Sequence, residues 1–214
     1  MIALRTSKEI RDGSYVNLGI GIPTLISDWI QGRDIVLQSE IGMLKTGPLA
    51  FGEEVDQDLI NASCQAVTEL RGASYFDIFE SFNMIRGGHI DVVVVGAYQV
   101  SEKGDYAGWS NPARGMGELG GIGGSMDLCA GTTNLFIAME HTTRDGEPRI
   151  VRGLTYPATA RGKVRMVFTD LAVIEVTPPG LILKEVFPGL SPEDIQSVTE
   201  PVLIVAEDLK EMEL

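Results

Sequence analysis

Asp91-Val-Val-Val-Val-Gly-Ala97 carries four valines in succession with no polar residue between them. Side chains along a strand point alternately to opposite faces, so an unbroken β-branched run implies burial on both. Such a strand belongs inside a parallel sheet, and parallel neighbours require helical crossovers. The run therefore predicts an α/β protein in which the strand at residues 91–100 lies centrally.

Working outward, strand and helix patterns alternate from one end of the chain to the other. Residues 3–12 read as a helix, and Tyr15-Val-Asn-Leu18 as a strand entering Gly19-Ile-Gly21-Ile-Pro23. Pro23 suits a helical first turn, and Leu25, Ile26, Trp29 and Ile30 fall at the spacing of one apolar stripe before Gly32. A strand over Ile35–Ser39 follows, then turns at Lys45-Thr-Gly-Pro48 and a solvated acidic loop over 53–58. Residues 75–86 form a helix pattern with Ile78, Phe79, Phe82 and Ile85 on one side, ended by Gly87-Gly88. Further strands are expected at 135–139, 164–168, 172–176, 181–186 and 202–205, with Ser191-Pro-Glu-Asp194 opening a short helix. No repeat or linker divides this βαβ pattern, so residues 1–214 are read as one domain.

Composition excludes several classes of function. A chain of 214 residues with 44% hydrophobic content can build a sizeable core. Its longest apolar stretch is far below the roughly 20 residues that span a bilayer, and the N-terminus mixes charge into its apolar residues at once, unlike a secretory signal. A cytoplasmic protein is expected, with no membrane association. The net charge of −13 repels polyphosphate and argues against nucleic acid. Cys64 and Cys129 lie far apart, without CxxC spacing, and read as reduced, buried small residues. His89 and His141 are isolated, so no metal is expected.

The chemistry-bearing candidate is Glu40, in Ile35-Val-Leu-Gln-Ser-Glu40-Ile-Gly42, where an apolar strand runs out into a glycine turn. Ligands of open α/β sheets bind beyond the carboxyl ends of the strands, so an acid there is a candidate nucleophile or base. A solvated turn residue is the bland alternative. Asn17 ends its own strand before Gly19-Ile-Gly21, where its amide can donate to a developing oxyanion or simply form the turn. Were the two strands neighbours, Asn17 and Glu40 would share one crevice. Gly115-Met-Gly117-Glu-Leu-Gly120 spells GxGxxG, but Ser-Asn-Pro-Ala-Arg precedes it instead of a strand, which disfavours a dinucleotide site. Glycines 120–124 could still bring backbone N–H groups close to a thioester or phosphate. No GxSxG elbow occurs, so a hydrolase triad is disfavoured.

These residues fall into an ordered set: Asn17-Leu-Gly-Ile-Gly-Ile-Pro23, Gln38-Ser-Glu40-x-Gly42, Gly47-Pro48, Ser81-Phe-x-Met-Ile-Arg-Gly-Gly-His89, Gln99-Val-Ser-Glu-Lys-Gly-Asp105, Gly123-Gly-x-Met-Asp-Leu128 and Thr169-Asp-Leu-Ala172. Over residues 5–200 the set resembles the B (β) subunit of the 3-oxoacid CoA-transferases. The resemblance implies an open three-layer α/β/α sandwich with a mainly parallel sheet. It implies Glu40 as the nucleophile that becomes a glutamyl-CoA thioester, and Asn17 as the oxyanion-stabilising side chain. Gly19, Gly21, Gly123 and Gly124 are then expected at the substrate and CoA site. An A (α) subunit partner is also implied, in a heterodimer or heterotetramer, with an acyl-CoA such as succinyl-CoA and a 3-oxoacid such as acetoacetate as substrates. No cofactor beyond the CoA thioester is implied. The chain departs from the family pattern at Ile41, where Asn is usual, at Lys45-Thr46, where a small apolar pair is commoner, and at Trp109-Ser-Asn-Pro112. Transfer between other short acids, thioester hydrolysis with Glu40 as general base, and a non-catalytic regulatory or scaffold role stay open as alternatives.

Overall fold

The computed structural model describes residues 1–112 and 123–213; the GxGxxG stretch lies outside the described residues. The strands in chain order are Tyr15–Leu18 (β1), Val36–Ser39 (β2), Met43–Leu49 (β3), Val67–Tyr75 (β4), Val92–Val95 (β5), Gln99–Ser101 (β6) and Tyr106–Ala107 (β7). They continue with Asn134–Ala138 (β8), Ile150–Val151 (β9), Val164–Phe168 (β10), Ala172–Thr177 (β11), Gly180–Val186 (β12) and Leu203–Glu211 (β13). The α-helices are Ile2–Glu9 (α1), Ile78–Arg86 (α2), Ser125–Gly131 (α3) and Pro192–Ser197 (α4). Among the described residues, ten strands form one sheet in the order β13-β12-β11-β10-β8-β5-β1-β2-β3-β4, and β7-β6-β9 form a smaller one.

The centre of the large sheet is parallel: β2, β1, β5, β8 and β10 pair side by side in one direction. Antiparallel pairs extend both flanks, and the edge strand β13 then pairs parallel with β12. All four valines of β5 are buried, as their run predicts. Val93 and Val95 pack with Ile85 of α2 and Leu128 and Cys129 of α3. Val92 and Val94 face the opposite way, toward Ile2 and Ala3 of α1 and toward Ile26. Two cores on two faces give the three layers. Each fully buried valine contributes roughly 1.5–3 kcal/mol.

Several expectations are corrected. Residues Ile22–Trp29 wind as a 3-10 helix, not an α-helix. Thr24 and Ser27 hydroxyls donate to carbonyls three residues back, which competes with regular α-helical bonding. Its stripe also splits: Ile26 and Ile30 are buried, whereas Leu25 and Trp29 are exposed. On α2 the same happens, with Ile85 buried and Ile78 and Phe79 exposed. The expected turn at 45–48 lies inside β3, and β4 is an addition, because pairing with β2 supplies the order that glycine and proline hide. The glycine-rich stretch 101–131 carries little period and reads as a long functional loop, yet Tyr106–Ala107 pair as a strand and Ser125–Gly131 is helical. Cys129 is buried, but Cys64 is exposed, at φ 57° in a turn held by the Asn61 side chain. No helix among the described residues is long and apolar enough to cross a membrane.

Two polar devices tie the layers together. Arg5 of α1 donates to both carboxylate oxygens of Glu185 on β12, at 2.6 and 2.9 Å, and lies over the Phe168 ring. His141 is fully buried between Thr169 Oγ1 and Thr199 Oγ1, each 2.9 Å from a ring nitrogen. Both yield measurable consequences. Glu185→Ala leaves the buried Arg5 charge with only the more exposed Glu9 carboxylate, 3.1 Å away, and should lower the unfolding free energy by about 3 kcal/mol in urea titration. Burial pushes the His141 imidazole from 6.5 down to about 4, against a smaller opposing effect of Asp170. The unfolded chain thus takes up a proton that the folded chain refuses. Stability is whole above pH 6.5 and is lost as the pH falls toward 4, by on the order of 3 kcal/mol. His141→Asn should flatten that difference when unfolding is compared at neutral and acid pH.

Candidate active site

Strands β1 and β5 are where the chain reverses its direction across the sheet: β2 is added on one side of β1, then β5, β8 and β10 on the other. The crossovers leave in opposite directions there, which opens a crevice at the carboxyl ends of the strands. A cleft of about 500 Å³ occupies that position, lined by Gly19 and Ile20 after β1, Gly96 and Ala97 after β5, and Ala138 and Met139 at β8. Glu40 projects into it from the end of β2, facing Gly123 and Gly124 at the start of α3.

The turn that presents Glu40 is narrow. Gly42 N donates to Ser39 O at 3.0 Å, which folds β2 back into β3. Gly42 has φ 130°, and a side chain there would run into the Phe76 carbonyl, so the position requires glycine. Ile41 at the turn's tip is 50% exposed and lines neither the cleft nor the smaller recess beside it.

Parallel pairing of β1 with β2 sets Asn17 opposite Gln38. Asn17 Nδ2 then lies 3.1 Å from Glu40 Oε2, 3.1 Å from Gln38 O and 2.8 Å from Gln38 Oε1. Three acceptors on this side identify it as the amino side of the amide. Gln38 Nε2 in turn donates to Ser81 Oγ of α2 at 2.8 Å, so the carboxylate is braced through a chain of buried amides to a helix on the sheet's face. Asn17, Gln38 and Ser81 are all buried, while Glu40 is half-buried.

Among the sequence-derived candidates, Glu40, Gly19, Gly123 and Gly124 line one crevice, and Asn17, buried beneath that lining, connects to it through its hydrogen bond to Glu40. Gly21 does not line it; its amide donates to Ser63 Oγ at 3.1 Å. Gly124 also meets a packing need, because a Cβ there would strike the Phe82 ring. Arg149 was not anticipated. Together with Glu40 it supplies the charge on the cleft lining among the described residues, and it lies 3.4 Å from Glu140. Nothing local marks it in the sequence, since it enters from the strand-free segment after β8. Ser81 and Gln38 appear in the motif set but carry no chemical signal of their own. Burial holds the Cys129 thiol up at about 11 and likewise raises the Tyr106 phenol that borders the cleft, so both stay neutral. Among the described residues no three His, Cys, Asp or Glu side chains gather as metal ligands would.

The sequence model of the family described as coenzyme A transferase matches residues 1–197. The chain is 43% identical over 203 residues to the B (β) subunit of the 3-oxoadipate CoA-transferase of Pseudomonas putida, covering 95% of this chain and 94% of the relative. It is 41% identical over 199 residues to the B (β) subunit of the succinyl-CoA:3-ketoacid coenzyme A transferase of Helicobacter pylori, covering 93% and 95%. The fold matches the acyl-CoA transferase YdiF apoenzyme of Escherichia coli O157:H7 with a TM-score of 0.80 at 23% identity, over 99% of this chain but only 42% of that longer one. From the family match and these identities together, the chain belongs to the coenzyme A transferases and is an enzyme of that type.

Proposed function

We propose that this chain is the β subunit of a CoA-transferase that moves CoA from an acyl-CoA to a 3-oxoacid through a glutamyl-CoA thioester at Glu40. The observation that carries this reading is the 3.1 Å contact from Asn17 Nδ2 to Glu40 Oε2 at the mouth of the parallel sheet. A carboxylate oriented by this bond and facing a cleft of about 500 Å³ is a nucleophile held in one orientation.

A Glu40 oxygen attacks the thioester carbonyl carbon, the C–S bond breaks, and CoA leaves as thiolate. The product is a mixed anhydride of Glu40 and the acyl group. The thiolate then attacks the Glu40 carbonyl carbon, the anhydride C–O bond breaks, and the donor acid departs as its carboxylate. An acceptor carboxylate runs the two steps in reverse, which gives ping-pong kinetics. The scheme balances without a metal or redox cofactor.

In the thiolate attack, negative charge develops on the Glu40 carbonyl oxygen itself. Asn17 Nδ2 is already at hydrogen-bond distance from Glu40 Oε2, so its donor needs no rearrangement to meet that charge. Arg149 supplies positive potential in the cleft toward which anionic substrates are drawn. The names of the relatives, each one subunit of a larger enzyme, and the greater length of YdiF support a companion A (α) subunit that completes the CoA pocket.

Glu40→Gln should lower transfer by a factor on the order of 10⁴ or more. Borohydride added after acyl-CoA should inactivate the wild-type complex by reducing a thioester at Glu40. A Glu40→Gln complex that transfers CoA undiminished, or release of free CoA without any acceptor acid, would refute the scheme. Asn17→Ala should reduce kcat by roughly 10² to 10³, the loss seen when one oxyanion donor is removed from an acyl-transfer site. Steady-state rates with saturating donor measure it.

A further inference from the structure

Glu40 also borders a second, smaller recess of about 30 Å³, which among the described residues shares only Glu40 and Ala62 with the lining of the main cleft. Leu18, Leu37 and Val67 give it an apolar part, and its hydroxyls come from Ser39 and Thr46 and from Thr24 and Ser27, the last two already donating to backbone carbonyls. Ser39 is 6% exposed and Thr46 7%. Neither hydroxyl has a hydrogen-bond partner.

Buried polar atoms left unpaired are rare in folded proteins, and each calls for a cause. Here they are concentrated: the unpaired buried side-chain atoms among the described residues are Asn17 Oδ1, Ser39 Oγ and Thr46 Oγ1, on the three adjacent strands that surround Glu40. The chain also adopts an unfavourable conformation to place one of them. Lys45 sits at φ 62°, and the pairing of β3 with β4 breaks register between Leu44 and Thr46. Such an irregularity re-aims the following side chain, and strain of this kind gathers at functional sites.

We infer that Ser39 and Thr46 form a subsite for the neutral carbonyl oxygen at the third carbon of the acid substrate, making the enzyme selective for 3-oxo acids. The inference rests on Glu40 being the acylated group. A 3-oxo carbon lies two bonds beyond the reacting carbon, so its oxygen belongs beside the nucleophile. The recess holds about two water-sized groups, which suits a carbonyl and excludes a long branch. No Lys, Arg or His lines it, and Glu40 borders it, so a second carboxylate is disfavoured while a neutral acceptor of two O–H groups fits. A site whose buried hydroxyls are paired only by the right substrate discriminates against an analogue lacking that oxygen.

The test uses the chain assembled with its companion subunit, with succinyl-CoA as donor and acetoacetate or butyrate as acceptor, two four-carbon acids that differ in the 3-oxo group. For Thr46→Val the ratio of kcat/KM for acetoacetate to that for butyrate should fall roughly three- to tenfold, the range of one neutral hydrogen bond. Ser39→Ala should move the ratio the same way, and Thr46→Ser, which keeps the hydroxyl, should hold it. The thermal midpoint of Thr46→Val should not fall, because the hydroxyl removed has no protein partner. An unchanged ratio in an active Thr46→Val complex overturns the inference and leaves the Glu40 scheme intact. A lowered midpoint with both acceptors affected alike also overturns it, assigning the hydroxyl to a structural water. A wild-type complex that transfers CoA to neither acid and resists borohydride sinks the Glu40 scheme, and the subsite with it.

Discussion

Burial of β5 on both faces is the constraint from which the rest follows. Four valines in a row leave no polar edge to turn toward water, so each face of the sheet must carry its own helical layer. Covering both faces confines every ligand to the ends of the strands. Because the strand order reverses beside β5, the connections after β1 and β5 pack on opposite faces of the sheet, and the cleft forms between them.

At that end, local order is kept by buried amides in place of charges. Asn17, Gln38 and Ser81 run from the sheet to α2 and hold a carboxylate that keeps access to solvent. A buried cation would have held Glu40 more firmly, but its attraction for the carboxylate electrons would also have weakened the attacking oxygen as a nucleophile. Neutral donors orient the oxygen and leave its electron pair available. The opposite solution is found at Arg5 and Glu185, where a buried ion pair joins α1 to the sheet and has no ligand to meet.

Much of this was legible in the residues themselves. The strands at 15–18, 164–168 and 172–177 lie close to where period and β-branching put them, and the Ser191 cap opens α4 with its capping box, whereas the single strand expected over 91–100 ends at Val95 and resumes at Gln99 in the smaller sheet. The motif set named Glu40 and Asn17. What failed was legible only to a partner. Phe79, Ile78, Leu25 and Trp29 sit at apolar spacing yet face outward, because helix period counts positions without knowing which side meets a sheet. Gly47 and Pro48 read as a turn and lie in a strand, since pairing with β2 and β4 overrides local preference. Cys64 resembled a core residue and stands in a left-handed turn on the surface.

The amino-acid sequence by itself determined the class of fold, the central strand and the acid that ends β2, because each depends on side-chain period and turn chemistry within a few residues. Only the tertiary structure decided that β1 and β2 are parallel neighbours, that Arg149 reaches the cleft, and that Thr46 lines the recess beside Glu40. Contacts between the parallel strands at the site are made by groups 20 or more positions apart, such as Asn17 with Glu40, separated by 23. Their distance in space is fixed by the register of the sheet as a whole, and no local window of residues records it.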